Sequence, residues 1–405
     1  MAPGPQRPQT VRAPQRGAET TRRIGAAVTD GSDARSPRVV LGMTLYNNAR
    51  HLPDAAASLL AQSHRDFALV MLDDASTDET PRIAETLAAA DGRIRSFRHQ
   101  QRAGMIPTWR EVVEIANREF PSAHYFAWVS DHDRWHPRWL ERLVDVLDGD
   151  PSVVLAYPMT QRMEADGTPV DKDLRKFETV GLTSIRDRWR LFCERGVGSG
   201  DMVYGLMRVP ALRTAGIFRD VMNPDRLLMA ELTLQGAIAQ VPEPLWVRRR
   251  STVASIARQR TTLIAGPTPR WFVWPATLQH AYVITREYAS SPHPPVRIPK
   301  TTLAGMLIQY QTSSLSRTYR KTDTAKQLDR TREQAAFAAK VSRKQAQVLV
   351  SDTLNSLTMA WVRLGRHRRK LAYESTFWLR KFASRTRRAQ QRARFKIGTA
   401  LRRVR

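Results

Sequence analysis

Leu72–Asp73–Asp74–Ala75–Ser76–Thr77–Asp78 is the stretch whose reading decides the fold. It continues the apolar run Phe67–Leu72, which has the length and composition of a short buried strand. Ser76 with Glu79 has the spacing of a capping box, so a helix is expected from there through Ala90. Capping accounts for Ser76 and Asp78. It does not account for Asp73 and Asp74 side by side, because adjacent like charges repel. Such pairs mark sites with tuned electrostatics, and a carboxylate at a strand end can accept a hydrogen bond from a nucleobase N–H.

Outward from this stretch the pattern is regular. Arg38–Leu45 reads as a buried strand, and Leu52, Ala55, Ala56, Leu59 and Leu60 follow helical spacing with Pro53 in the first turn. Ile94–Phe97, His124–Val129 and Val153–Tyr157 are further strands. Residues 105–117 and the Leu140, Leu143, Val144, Leu147 stripe are helices between them. Strands alternating with helices imply a mostly parallel sheet covered on both faces, with ligands beyond the carboxyl ends of the strands. The residues at those ends are Tyr46–Asn47, Asp73–Asp74 and Ser130–Asp131–His132–Asp133.

Carboxylates spaced as Asp131 and Asp133 can hold Mg²⁺ or Mn²⁺ against a diphosphate, and the intervening His132 suits Mn²⁺ better. An acidic loop with a helix cap is the simpler alternative. Asp225 opens a helical segment that runs to Gln235 and is closed by Gly236. It reads as a general base or as an acid favoured by the helix dipole, and Glu231 is equally open. Gly196–Val197–Gly198–Ser199–Gly200 begins like a dinucleotide fingerprint but has Asp201 where the last glycine belongs. The sequence has no P-loop, no HExxH and no GxSxG.

Taken together these residues resemble the family 2 glycosyltransferases of the GT-A fold. The resemblance starts at Thr44–Leu45–Tyr46–Asn47 and continues through Leu59–Leu60–Ala61–Gln62 and Asp73–Asp74–Ala75–Ser76–Thr77–Asp78–Glu79–Thr80. Gly104, Asp131 to Asp133 with Trp135 and Pro137, and Asp225, Leu228 and Gly236 complete it over about residues 38–250. The resemblance implies an α/β, Rossmann-like GT-A sheet and single-displacement transfer from a nucleoside-diphosphate sugar with inversion at the anomeric carbon. It implies that Thr44, Tyr46 and Asp74 contact base and ribose, Asp74 most directly. Asp131 would bind the nucleotide, Asp133 and His132 the metal, and Asp225 would deprotonate the acceptor hydroxyl.

Two positions depart from the pattern. Counting back from Pro137, the metal-ligating Asp falls on His132 and the first Asp on Ser130. Either His132 is a ligand or Asp131 and Asp133 share the task, with Asp133 as principal ligand. Pro224 replaces the Glu that usually precedes the base. The rival reading is therefore a non-catalytic GT-A scaffold acting through its basic tail. A nucleotidyltransferase is disfavoured by the missing Gly-rich, Lys-containing loop after the first strand.

The tail stands apart in charge. The chain of 405 residues carries a formal net charge of +27, and about +22 of that lies in residues 291–405. The expected organisation is a disordered segment 1–37, a GT-A domain 38–265, a Pro-containing linker or helix 266–299 and a basic α-helical extension 300–405. Trp361, Phe377, Trp378, Phe382 and Phe395 alternate with Arg and Lys there, as in helices that lie on anionic membranes, where lipid-linked acceptors reside. A solvated extension or an oligomer contact is the alternative. No RNA- or DNA-binding motif accompanies the charge, so nucleic acid is the least favoured partner. The single cysteine, Cys193, excludes an internal disulfide and reads as a small buried residue. With no apolar run of about 18 residues, the expectation is a cytoplasmic protein, peripheral on the inner face of the membrane. Its acceptor would be a glycan or a lipid-linked precursor.

Overall fold

The computed structural model describes residues 21–24, 36–173, 177–196, 199–249, 263–266 and 269–320. Its sheet is built around β2 (Val39–Leu45), β3 (Phe67–Asp73), β4 (Ile94–His99) and β5 (Tyr125–Val129). These four pair in parallel in the order β4-β3-β2-β5. Helices α1 (Leu52–Leu60), α2 (Thr80–Ala90) and α3 (Met105–Glu119) make the crossovers. The strands lack polar alternation because both faces are covered. Val39, Leu41, Met43 and Leu45 enter the core shared with α1 and α2, whereas Val40, Val70 and Leu72 enter the core shared with α3. Gly42 leaves space on that second face. A Cβ there would lie 2.5 Å from the Phe126 ring and 3.1 Å from Val112, so the strand could not lie this close to α3 with any side chain.

The second half of the sheet is mixed. After β6 (Arg134–Trp135) and α4 (Trp139–Gly149), β7 (Val153–Met163) runs beyond the expected Tyr157 and pairs with β8 (Pro169–Asp173). Helices α5 (Ile185–Arg195) and α6 (Ser199–Met202) precede β9 (Leu206–Arg208), a short strand antiparallel to both β5 and β7 that joins the two halves. Then follow α7 (Val209–Thr214), α8 (Pro224–Gln235) and the long β10 (Ala237–Arg249). Pro242 and Pro244 fall where β10 shifts register against β7. Past that break β10 stays paired with β7 and takes β6 on its other edge, pairing Trp246 with Trp135 and Val247 with Arg134. Gly236 does follow α8, but its φ of −166° is extended. It is required because a Cβ would meet Val154 at 2.4 Å and the Ser152 carbonyl at 2.6 Å.

Three expectations need correction. Within the segment read as disordered, Thr21–Ile24 forms β1, antiparallel to β4. The domain also does not stop at residue 265. Phe272, Ile284 and Tyr288 are buried, respectively before, in and after α9 (Ala276–Thr285), inside the stretch read as a linker. Leu303, Met306 and Tyr310 are buried too and share one face of α10 (Lys300–Arg320). The extension therefore begins with a helix that completes the core. Finally, α2 starts at Thr80 without a Ser76 cap. Ser76 Oγ instead accepts from the Asn47 amide at 2.9 Å, while Asp78 Oδ1 accepts from Thr80 N at 3.0 Å. Cys193 is buried, as expected. Residues 321–405, which carry most of the basic tail, lie outside the described residues.

Candidate active site

The loops after β2 and β3 are fastened to each other. Asp74 N donates to Leu45 O, Asn47 N to Ser76 Oγ, and Thr77 N to Asn47 Oδ1. Asn47 and Ala75 both adopt positive φ, 48° and 57°, which turns the chain sharply at each strand end. This leaves Tyr46 exposed, with the Arg102 guanidinium 4.3 Å from its ring centroid. Thr44 is half-buried on β2 behind it. Sequence reading passed over Arg102. The cue was an arginine just before the expected loop glycine, Gly104.

Asp74 is the hub of this wall. Its oxygens accept from Ala103 N at 2.7 Å, Gly104 N at 2.9 Å and His99 Nδ1 at 2.9 Å. His99 Nε2 faces Glu111 at 3.0 Å, so both ring nitrogens donate to carboxylates. Burial pulls the His99 pKa down, but the bonds to Asp74 and Glu111 outweigh it and raise the value to about 9. Gly104 has φ +95°, and a Cβ there would sit 2.5 Å from Ala265 N. Only glycine lets the 263–266 segment close on this loop. Asp73 accepts from Ser76 N at 3.0 Å and pairs with Arg98 at 3.2 Å. Its other oxygen is buried without a partner, and burial raises its pKa.

The acidic run after β5 forms a second wall. Asp131 Oδ1 accepts from Asn48 Nδ2 at 2.8 Å and lies 2.7 Å from His132 Nδ1. Asp133 is tied to β10: Oδ1 accepts from Arg249 N at 2.8 Å and Oδ2 from Trp246 Nε1 at 3.2 Å. Burial raises the Asp133 pKa, with His132 and the Arg249 amide opposing. Arg249 also donates to the His132 carbonyl at 3.0 Å. Both neighbours of the acidic run on β10 were missed from sequence. The signal was the Arg248–Arg249–Arg250 triplet closing an apolar strand.

Asp225 reaches the same region from the first turn of α8. A Cβ added to Gly200 would lie 3.6 Å from Asp225 Oδ2 and 3.9 Å from Arg248 Nη1, so both groups lie close to this glycine. Half-buried Tyr204 lies among these groups. Its phenol is pushed far up by burial and by the negative charges of Asp133, Asp131 and Asp225, with Arg248 opposing. Asp131, Asp133 and Asp225 thus all act electrostatically on one phenol. Arg248 lies over the Trp246 ring and binds Asp201, which also pairs with Arg162 at 3.0 Å. Glu231, the other acid on α8, is fully buried and paired with Arg219 at 2.9 Å; it belongs to the core.

Among the described residues no three His, Cys, Asp or Glu side chains form a ready-made metal centre. The donor set nevertheless fits a cation that a diphosphate helps to hold. Asp131 Oδ2 has no protein partner among the described residues, and His132 stands beside it. Mg²⁺-type sites commonly use one or two carboxylates plus substrate phosphates.

This sheet, with acidic loops at the ends of β3 and β5, is the GT-A arrangement. Residues 41–198 match the family model "Glycosyl transferase family 2". TuaG of Bacillus subtilis (strain 168), a glycosyltransferase named for teichuronic acid biosynthesis, is 27% identical over 135 residues, 33% of this chain and 51% of TuaG. The chain therefore spans about half the length of that relative. An uncharacterized protein of Mycobacterium tuberculosis (strain CDC 1551 / Oshkosh) is 25% identical over 244 residues, 56% of this chain and 71% of that protein. A crystal structure of S. aureus TarS 1–349 in complex with UDP-GlcNAc shares the fold, with TM-score 0.50 and 16% identity over 72% of this chain and 77% of that one. No helix among the described residues is long and apolar enough to cross a membrane.

Proposed function

We propose that the protein is an inverting glycosyltransferase, using residues 38 to about 314 to move a sugar from a nucleoside diphosphate to an acceptor hydroxyl. The observation that carries this reading is the electrostatic convergence of Asp131, Asp133 and Asp225 on the Tyr204 phenol, beside the wall formed by Tyr46 and Arg102. The nucleobase stacks on Tyr46 and its Arg102 partner, with Thr44 behind. Asp74 acts on the nucleoside by fixing the Arg102–Gly104 loop and through its remaining lone pairs. Asp131 faces the ribose and diphosphate. Asp131 and His132 hold the divalent cation, Mn²⁺ or Mg²⁺, with Asp133 fixing their loop from below. When bound, the cation neutralises charge on the departing diphosphate.

The chain's own residues do the rest. Asp225 takes the proton from the acceptor hydroxyl as its oxygen bonds to the anomeric carbon. The bond from that carbon to the phosphate oxygen breaks, and the electron pair leaves with the nucleoside diphosphate. Arg248, also near Gly200, stabilises that charge. The acceptor is a glycan or a lipid-linked precursor, with the basic tail that follows α10 binding an anionic membrane at the cytoplasmic face. The test is calorimetric titration with UDP and GDP, with and without Mn²⁺, followed by turnover on a panel of nucleotide sugars. Absence of nucleotide binding in every condition overturns the reading.

A second reading, a non-catalytic GT-A scaffold, is favoured by one observation: both Asp133 oxygens are already bonded to β10. It predicts membrane or polyanion association without turnover, unchanged in Asp131→Asn and His132→Ala. Loss of Mn²⁺-dependent nucleotide binding in Asp131→Asn excludes it.

A further inference from the structure

Asp225 follows a bend. Asn223 is left-handed, with φ 53° and ψ 56°, and Pro224 has no N–H to give. The Asn223 carbonyl accepts from Arg226 N at 3.1 Å and Leu227 N at 3.3 Å, which closes the first turn of α8 but leaves the chain before Asn223 to be held from a distance. Met222, one residue earlier, is bonded on both sides by α9: its amide donates to Gln279 Oε1 at 2.9 Å, and its carbonyl accepts from His280 Nε2 at 2.7 Å. Because Nε2 must carry the proton, neutral His280 presents Nδ1 as an acceptor, and the Tyr310 hydroxyl donates to it at 2.7 Å. Burial lowers the His280 pKa to about 4, which keeps this tautomer in place at neutral pH. The Tyr310 oxygen in turn accepts from Arg226 Nε at 3.2 Å, and Arg226 is the residue next to Asp225.

We propose that Gln279, His280 and Tyr310 are positioning residues that set the place of Asp225 from both sides of it along the chain. Met222 is fixed on one side and Arg226 on the other. The inference rests on reading Asp225 as the base, and it extends the working site into α9 and α10, beyond the segment that matches the family model. Gln279, His280 and Tyr310 are at most 1% exposed, so solvent cannot replace a lost bond. Packing alone would not need this chemistry, since apolar side chains fill a helix interface without four aligned donors and acceptors. A displacement of about 1 Å at a reacting group can cost on the order of 100-fold in rate.

Tyr310→Phe is the decisive variant, because it keeps the ring and removes only the hydroxyl. His280→Ala removes both bonds of the imidazole, and His280→Gln restores a donor to the Met222 carbonyl. Two readouts apply to the full chain. Hydrogen–deuterium exchange over residues 222–228 should rise in Tyr310→Phe and His280→Ala, and fall back in His280→Gln. Steady-state release of nucleoside diphosphate from UDP-GlcNAc or GDP-mannose with Mn²⁺ should show kcat lowered roughly 10-fold in Tyr310→Phe, with donor KM within about twofold and thermal stability near the parent's. Unchanged exchange over residues 222–228 overturns the proposal. So does unchanged kcat in Tyr310→Phe while Asp225→Asn is inactive. An equal loss of kcat, KM and thermal stability also overturns it, leaving ordinary packing. If Asp225→Asn turns over at the parental rate, the reading of Asp225 itself falls.

Discussion

The two walls of the cleft are held over very different stretches of chain. On the nucleoside side, the Asp74 bonds reach residues 25 to 30 positions away, within one β-α-β unit. On the opposite side, the Asp133 bonds reach 113 and 116 positions along the chain, and those of Met222 reach 57 and 58. A wall made within one supersecondary unit forms with that unit. A wall made by long-range bonds exists only when β10, α9 and α10 have docked. The first should tolerate change at the far end of the chain, and the second should not.

The largest effect that separates the walls is expected from Asp225→Asn. Turnover should fall at least about 100-fold, as for removal of a general base, while calorimetry still shows parental nucleotide affinity. A matching loss of affinity would mean that the two walls are one site. Next is Asp133→Ala, which strips the Arg249 amide and the Trp246 indole N–H of their buried acceptor. Chemical denaturation should show a loss of about 2–3 kcal/mol, and a change within error would mean that β10 is held by its strand pairing alone.

The nucleoside wall has its own pH signature. The folded-state pKa of His99 is raised from 6.5 to about 9. A histidine raised in this way stabilises the fold fully below pH 6.5, and the contribution disappears as pH climbs through 9. Thermal melts should therefore drop between those values, on the order of 3 kcal/mol at most, and His99→Gln should flatten the drop. An unchanged profile in His99→Gln would remove the ion pairs from the account. The smallest effect is expected for Ser76→Ala, which removes the acceptor of the Asn47 amide and the hydroxyl's bond to Asp73 at a cost of about 1 kcal/mol. The change should lower nucleotide affinity more than turnover, because it loosens only the nucleoside wall.

The acidic pair Asp73–Asp74 was legible because strand end, turn and helix start are contiguous. Its detail was not. The Ser76–Glu79 spacing fits a capping box, yet Ala75 takes a left-handed turn that carries Ser76 to Asn47 and leaves Asp78 to cap α2. Asp225 was legible as a helix-start acid, but its neighbours Tyr204, Gly200 and Arg248 come from elements with no periodic signal. The basic triplet Arg248–Arg250 looked like more of the chain's excess charge, and only the register break at Pro242 and Pro244 brings its first two members to the acidic loop.

By itself the sequence determined the alternation of strands and helices, hence the parallel half of the sheet and the acidic residues at its carboxyl ends. Those features depend on periodicity and on contacts a few tens of residues apart. The tertiary structure alone decided that residues 269–314 belong to the domain, that Asp133 is bonded to β10, and that Met222 is held between Gln279 and His280. Each is a long-range hydrogen bond or an apolar face buried by a distant partner. No local pattern encodes the partner, because the geometry that selects it exists only once the rest of the chain is in place.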